Sequence, residues 1–180
     1  MPKSSFQIVQ AKADDLPEVK LLLDRANQYA AERAGTPMWT AMDYVYGRLE
    51  RQIKRGQCYI ARHKDGSITA SICCNERAVI WGDASRDGKA LYIYKWMKDP
   101  VRGKTAEAIA LMRFACEEAK RRGKQVLRCD TAAEHDKLIK YYQRLGFKEV
   151  RRFEYKTTGR PGVLLESPAQ SVLKAVKTKD

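Results

Sequence analysis

The residues best placed by type and spacing to do chemistry lie between Ala90 and Arg122. An aromatic and β-branched run, ALYIYKWM, leads through Asp99-Pro100 to Gly103-Lys104-Thr105, where a helical pattern begins. The first N–H groups of a helix have no carbonyl partner, and the helix dipole adds positive potential, so such a start can hold a ligand phosphate. Arg102 and Lys104 supply mobile positive charge and Thr105 a hydroxyl. The same residues would equally make an ordinary helix start capped by solvent, and both readings stay open at this level.

Gly103-Lys104-Thr105 also ends like the phosphate loop of nucleotide hydrolases, and VLRCD ends in Asp130, which could then hold magnesium. That loop needs a glycine five positions before Gly103, and the residue there is Lys98. Without it the backbone cannot wrap a phosphate in the same way. Other chemistry is sparser. Tyr141 and Tyr142 adjoin in a helical stretch, where at least one phenol must pack inward. In Tyr92-x-Tyr94-x-Trp96, strand alternation predicts three rings on one face, a stripe that reads first as core. Trp39, in the connection AGTPMW, and Trp81-Gly82-Asp83 read either as plugs at the core edge or as substrate contacts. No metal site is indicated: the five cysteines show no C-x-x-C spacing, and His63 and His135 are the two histidines. An odd count of thiols predicts reduced, mostly buried cysteines.

The elements that must position these groups follow from periodicity. A strand over Phe6–Val9 precedes Asp15-Leu-Pro-Glu18, a predicted helix start with Asp15 as cap and Pro17 in the first turn. Leu16, Val19, Leu23, Ala26 and Ala30 recur at helical spacing until Gly35-Thr-Pro37. A second helix aligns Met42, Val45, Leu49 and Ile53 and ends at Gly56. Lys64-Asp65-Gly66 between two apolar runs predicts a hairpin, and a short strand is expected over Ala78–Trp81. After the run from Ala90 comes a helix from about Lys104 to Arg122, burying Ala108, Leu111, Met112, Ala115 and Ala119. A strand over Val126–Asp130, a helix opened by a Thr131…Glu134 capping box, and strands over Phe147–Tyr155 and Val163–Glu166 complete the order. Early meandering strands and late strand–helix crossovers predict an α/β (α+β) fold. Its mixed central sheet would be antiparallel in the first half and parallel in the second, with helices on both faces. One domain over residues 1–168 is expected, with residues 169–180 a basic, mobile tail.

From Leu91 to Val150 the chain resembles the GNAT family of N-acetyltransferases without a gap. The shared order is strand, Pro100, turn, the helix ALMRFACEEAKRRGK, the strand VLRCD, and YYQRLGF before a last strand. The two early helices and the Asp-Gly hairpin match as well, and Tyr142-x-x-x-Gly146-Phe147 is the most specific element. The resemblance implies that acetyl-CoA is the co-substrate and that no metal takes part. Its pantetheine would pair with the backbone at Met97 and Lys98, and its diphosphate would meet Gly103, Lys104, Thr105, Ala106, Glu107 and Ala108. His135, which replaces a common asparagine, and Leu138 complete the implied cofactor contacts. The family's diphosphate loop, Gln/Arg-x-x-Gly-x-Gly/Ala, falls on Gly103 to Ala108, where the internal glycine has become Ala106 and the leading basic residue is missing, although Arg102 could serve after a one-residue slip. Glycine permits close backbone approach; alanine still allows helical dihedrals. Tyr142 takes the family's position for the general acid. Asp83, Glu76 and Tyr94 are candidates for the base, and Trp39, Trp81, Asp83 and Tyr94 for substrate contact.

Composition bounds the rest. At 180 residues with 44% hydrophobic and 32% charged, the chain is an ordinary globular one. No stretch approaches the roughly 20 apolar residues of a membrane span, and MPKSSFQIVQ lacks a secretory leader pattern, which predicts a cytoplasmic, non-membrane protein, monomer or homodimer. A net charge of +13 favours an anionic partner. The acceptor expected is an amine on a small molecule or a protein or peptide, with tRNA suggested by the charge. The alternative is a non-catalytic GNAT-like module that binds an anionic partner such as nucleic acid.

Overall fold

Strand-forming runs and helical periodicities alternate along the computed structural model, which describes residues 5–178. The strands are β1 (Phe6–Gln10), β2 (Cys58–His63), β3 (Ile68–Asn75), β4 (Ala90–Lys98), β5 (Val126–Ala132), β6 (Lys148–Glu154) and β7 (Pro161–Pro168). The helices are α1 (Leu16–Ala34), α2 (Met42–Lys54), α3 (Thr105–Arg121), α4 (Asp136–Arg144) and α5 (Ala169–Lys177). The sheet has seven strands in the order β1-β2-β3-β4-β5-β7-β6. This is the mixed α/β fold expected, with a narrower parallel part: only β4–β5 pairs in parallel among the pairs described. The reason is local. The chain leaving β6 turns straight back as β7, which inserts between β5 and β6 and pairs antiparallel with both.

The described chain forms two compact units. The first comprises residues up to Cys73 together with Lys95–Leu111, the second Cys74–Tyr94 together with residues from Met112 onward.

In the first unit α1 buries Val19 and Leu23 of the predicted stripe together with Leu22, leaving Leu16, Ala26 and Ala30 half-buried, and α2 buries Val45, Leu49 and Ile53 with Met42 half-buried. The hairpin of β2 and β3 turns at Gly66, whose φ of 88° is the left-handed region that glycine reaches freely. The start of α1 differs from the expected cap. Asp15 makes no cap bond to the helix; its carboxylate instead accepts the Lys12 N–H and the Arg62 guanidinium, and Glu18 accepts the Ile68 N–H. Both acids are drawn to backbone and cationic donors outside the helix, and Pro17 in the first turn already removes one donor that a cap would serve.

In the second unit the strand expected over Ala78–Trp81 is absent. A 3-10 segment over Val79–Arg86, broken at Gly82, stands there, because Ala78 N–H bonds the Ser85 hydroxyl and curls the chain back. The capping box also fails. Thr131 and Ala132 still belong to β5, and α4 starts at Asp136 behind His135, which makes no side-chain cap. Pairing with β7 extends as far as Ala132↔Gly162 and so claims residues that the spacing assigned to a helix start. The expected loose tail is corrected too: residues 169–177 form α5, with Ala169, Val172 and Val176 buried. A valine at every fourth position gives the helix an apolar stripe to bury, despite its lysines. β6 is exposed over nearly its whole length, and its charges suit an edge strand.

Candidate active site

The first unit supplies a turn built to open α3. Where β4 ends, Asp99 is fully buried. Its backbone N–H donates to Thr69 O at 2.7 Å, and its carbonyl accepts the Gly103 N–H at 2.9 Å. One carboxylate oxygen accepts the N–H groups of Val101 and Arg102, both at 2.9 Å. The other accepts Arg25 Nη1 at 3.0 Å and Arg102 Nε at 3.2 Å. Burial alone would raise the pKa of this group, but the bonds from Arg102, Val101 and Arg25 outweigh it and hold the pKa below the usual carboxylate value. Gly103 serves the same turn. A Cβ there would meet Asp99 O and Thr69 O at 2.7 Å and Asp99 N at 2.9 Å, all rigid backbone. This glycine is therefore required by chain crossing, whatever it also does for a ligand.

Past Gly103 the residues Lys104, Thr105 and Ala106 are exposed and Glu107 is fully buried. Glu107 Oε2 accepts the Lys104 N–H at 2.9 Å, the return half of a capping box, and Oε1 lies 3.0 Å from His63 Nε2 on β2. His63 Nε2 is also 3.1 Å from the Thr69 hydroxyl. The inner side of the helix start is thus closed by a carboxylate. Thr105 and Ala106 are positions one and two of α3, whose N–H groups have no carbonyl partner within a helix. Lys98 Nζ reaches Gly103 O at 3.3 Å. Ala108 is half-buried and its carbonyl accepts the Trp96 indole at 2.8 Å. Met97 is buried on β4.

These residues fit a diphosphate: the helix start is exposed at Lys104, Thr105 and Ala106, and the alanine is small. The Ala106 methyl and the Glu107 carboxylate oppose tight binding without blocking it. Arg102 is committed to Asp99 at one donor.

β4 departs from regular strand geometry at Lys95, the one described non-glycine residue with positive φ, 48°. Such a backbone costs on the order of 1–3 kcal/mol and persists only when neighbours hold it. Here Lys95 Nζ donates to Gln52 Oε1 at 2.8 Å, and its carbonyl accepts the Ser71 hydroxyl at 3.1 Å. Burial still alternates through the kink, with Lys95 and Met97 buried and Tyr94, Trp96 and Lys98 half-buried. In the same unit Trp39 is half-buried, its N–H and carbonyl both tied to the Asn27 amide of α1 at 2.8 and 2.9 Å.

The second unit supplies the phenols. Tyr142 of α4 is buried and packs edge-on against Phe147 at 5.2 Å. Burial first, then the neighbouring Cys129 and Asp130, push its pKa well above the usual phenol value. Burial likewise raises the Cys129 thiol, with Asp130 adding to it. Tyr155 donates to Asp130 Oδ2 at 2.7 Å, a pairing the sequence does not suggest. His135 is buried behind α4, its carbonyl accepting the Leu138 and Ile139 N–H groups at 2.9 and 3.0 Å, and Leu138 is half-buried.

The remaining candidates are less suited to catalysis. Trp81 is buried with the Arg128 guanidinium 4.9 Å over its ring, and Tyr94 packs half-buried against the same cluster as Tyr92. Asp83 is fully exposed, 3.9 Å from Arg86. Glu76 accepts from Arg122 and Lys124. Burial would raise its pKa, but those two cations outweigh it and lower the value, which makes for a weak base. Asp99, Glu107 with His63, and Tyr155 with Asp130 are the groups that sequence reasoning missed or left without partners. Asp-Pro followed by Arg102 was a legible turn signal for the first; the other partners are separated by 44 and 25 positions and left no local trace.

No described group of histidine, cysteine and acidic residues could hold a metal ion, and no described helix is long and apolar enough to cross a membrane. All five cysteines are free and buried.

A family model described as the acetyltransferase (GNAT) family matches residues 20–147. No curated protein matches the chain. Among solved structures, a GNAT-family acetyltransferase from Listeria monocytogenes 4b F2365 is 19% identical with a TM-score of 0.68, covering 91% of this chain and 94% of that one. The ribosomal-protein-S18-alanine N-acetyltransferase from Escherichia coli is 17% identical with a TM-score of 0.62, covering 91% and 94%. The structure of yncA from Salmonella typhimurium with its cofactor acetyl-CoA is 14% identical with a TM-score of 0.61, covering 92% and 95%. At such identities the likeness is one of fold.

Proposed function

The chain belongs to the GNAT acetyltransferase family, and from that premise we propose that it is an N-acetyltransferase taking its acetyl group from acetyl-CoA. The observation that carries this reading is the start of α3: exposed Lys104, Thr105 and Ala106, at a helix start whose first N–H groups lack helical partners, on a turn locked by buried Asp99. Acetyl-CoA, when bound, would supply a thioester whose carbonyl an amine can attack.

The chain's own groups have separable roles. Gly103, Lys104, Thr105, Ala106, Glu107 and Ala108 form the diphosphate turn. Met97 and Lys98, just past the kink at Lys95, offer strand backbone to the pantetheine. Tyr142 donates a hydrogen bond to the leaving sulfur, which departs as a thiolate and takes its proton from solvent, while the acylated nitrogen gives its proton to water. Burial holds the phenol protonated, its pKa well above the usual value. A thiol has a pKa near 8.5, so complete transfer from a more basic phenol is uphill, and Tyr142 acts chiefly as a hydrogen-bond donor to the developing thiolate. The amine reaches its neutral form through water. His135 and Leu138 are assigned to the cofactor side, Trp39, Trp81, Asp83 and Tyr94 to the acceptor side, on the family resemblance alone.

The test is release of free thiol when the protein is mixed with acetyl-CoA and a panel of small amines, peptides and aminoacyl-tRNA. Thiol release with at least one class supports the reading; none with any class, in protein that binds acetyl-CoA, removes it. One feature favours the rival, a GNAT-like module that binds an anion without transfer: the Glu107 carboxylate closing the inner side of the turn. That rival predicts binding of nucleic acid that weakens steeply with salt, and no thiol release.

A further inference from the structure

Two arginines beside the diphosphate turn have donors to spare. Arg25 of α1 and Arg102 converge on one oxygen of Asp99, and both side chains are 45% exposed. Each Asp99 oxygen already accepts two bonds, which is the capacity of a carboxylate. Each guanidinium has five N–H donors, and Asp99 engages one from each. The trio keeps a net charge of +1, two cations against one anion.

A shallow cavity of about 290 Å³ is lined by Arg25, Asp99, Val101 and Arg102. That is at or below the roughly 300–1,000 Å³ of pockets that enclose whole ligands, so it suits one group of a ligand rather than all of it. An exposed arginine normally gives up side-chain freedom when it binds. Here both are tethered to a fixed, buried carboxylate, so less is lost, and planar forks match the paired oxygens of phosphate or carboxylate. Val101, 89% exposed, adds an apolar lip.

The geometry points to an oxyanion subsite in which Arg25 and Arg102 jointly bind a phosphate or carboxylate group of a ligand, with Val101 against its apolar part. The subsite is separate from the amides of Thr105 and Ala106 and stands whether or not the chain transfers acetyl groups. Two sources share this chemistry. One is the 3′-phosphate of the co-substrate, the other an acidic group on the acceptor.

Arginine side-chain nitrogen NMR of the full chain, titrated with inorganic phosphate, reads the site directly. Saturable shifts of the Arg25 and Arg102 Nε signals are expected, and Arg25→Gln should weaken phosphate binding at least about tenfold, the loss of a charged hydrogen bond. Arg25→Lys, which keeps the charge but not the fork, should fall between. Shifts that fail to saturate, or that persist unchanged in folded Arg25→Gln, overturn the subsite. The source is read from KM values, an arm that rests on the transferase reading. Arg25→Gln raising KM for acetyl-CoA but not for acetyl-3′-dephospho-CoA identifies the co-substrate's phosphate; a raised acceptor KM alone identifies an acidic acceptor. Both KM values unmoved would mean that the protein binds an adventitious ion only, and the assignment falls. Phosphate binding at Arg25 in a protein that transfers no acetyl group would leave the subsite standing and remove the transferase reading instead.

Discussion

Asp99→Asn isolates the electrostatic part of the turn that opens α3. The amide keeps the size of the side chain and one oxygen for the N–H groups of Val101 and Arg102. It turns an NH₂ toward Arg25 Nη1 and Arg102 Nε, so two charged hydrogen bonds are lost. Both arginines are nearly half exposed and can turn to water, which places the cost at the low end for such bonds, about 1.5–3 kcal/mol in total. At about 2–4 °C per kcal/mol for a chain of this size, the melting temperature should fall by about 3–12 °C. The pH dependence gives a second, sharper reading. The folded pKa of Asp99 is depressed, so its stabilisation is fully present above the unfolded value near 3.9 and is lost as pH falls through the folded value. The gap between wild type and Asp99→Asn in chemical unfolding should therefore be constant from pH 5 to 7 and shrink below about pH 4. A variant that melts with the wild type, or a gap that widens in acid, would refute the role given to this carboxylate.

Gly103→Ala should cost on the order of 1–3 kcal/mol, because its methyl group meets backbone that cannot move aside; calorimetric melting unchanged within error would show that the turn has slack. Tyr142→Phe keeps the packing on Phe147 and should lower kcat by about tenfold to a hundredfold with KM for acetyl-CoA unchanged; an unaltered kcat, with chemistry shown to be rate-limiting, takes Tyr142 out of the mechanism. Glu107→Gln keeps an acceptor for the Lys104 N–H while removing a negative charge from the helix start, so the dissociation constant for acetyl-CoA should drop about two- to fivefold. Weaker binding measured by fluorescence or calorimetry would mean that the carboxylate helps to shape the turn more than it repels the ligand.

How much of this was legible beforehand divides along the range of the interactions. The apolar stripes of α1, α2 and α3 are set by spacing within one element and appear where the pattern puts them. The hairpin at Asp65-Gly66 is equally local. The capping box at Thr131 was locally sound but lost to sheet pairing, since β7 extends its ladder along β5 to Ala132. The positive φ at Lys95 left no signal in the β4 run, because the conformation is held by Gln52 and Ser71, neither of them near in sequence. Within the site, the helix start could be read from Gly103-Lys104-Thr105. The two carboxylates that organise it could not, because Asp99 and Glu107 are defined by partners on α1 and β2. A buried glutamate in a helix looks the same in sequence as an exposed one.

Titration calorimetry with acetyl-CoA tests the central claim most directly. A saturable heat is predicted, with one molecule bound per chain and a dissociation constant between about 1 μM and 1 mM. The affinity should drop as salt rises and improve in Glu107→Gln. The absence of saturable heat at millimolar acetyl-CoA, in protein that is folded by its melting curve, would contradict it.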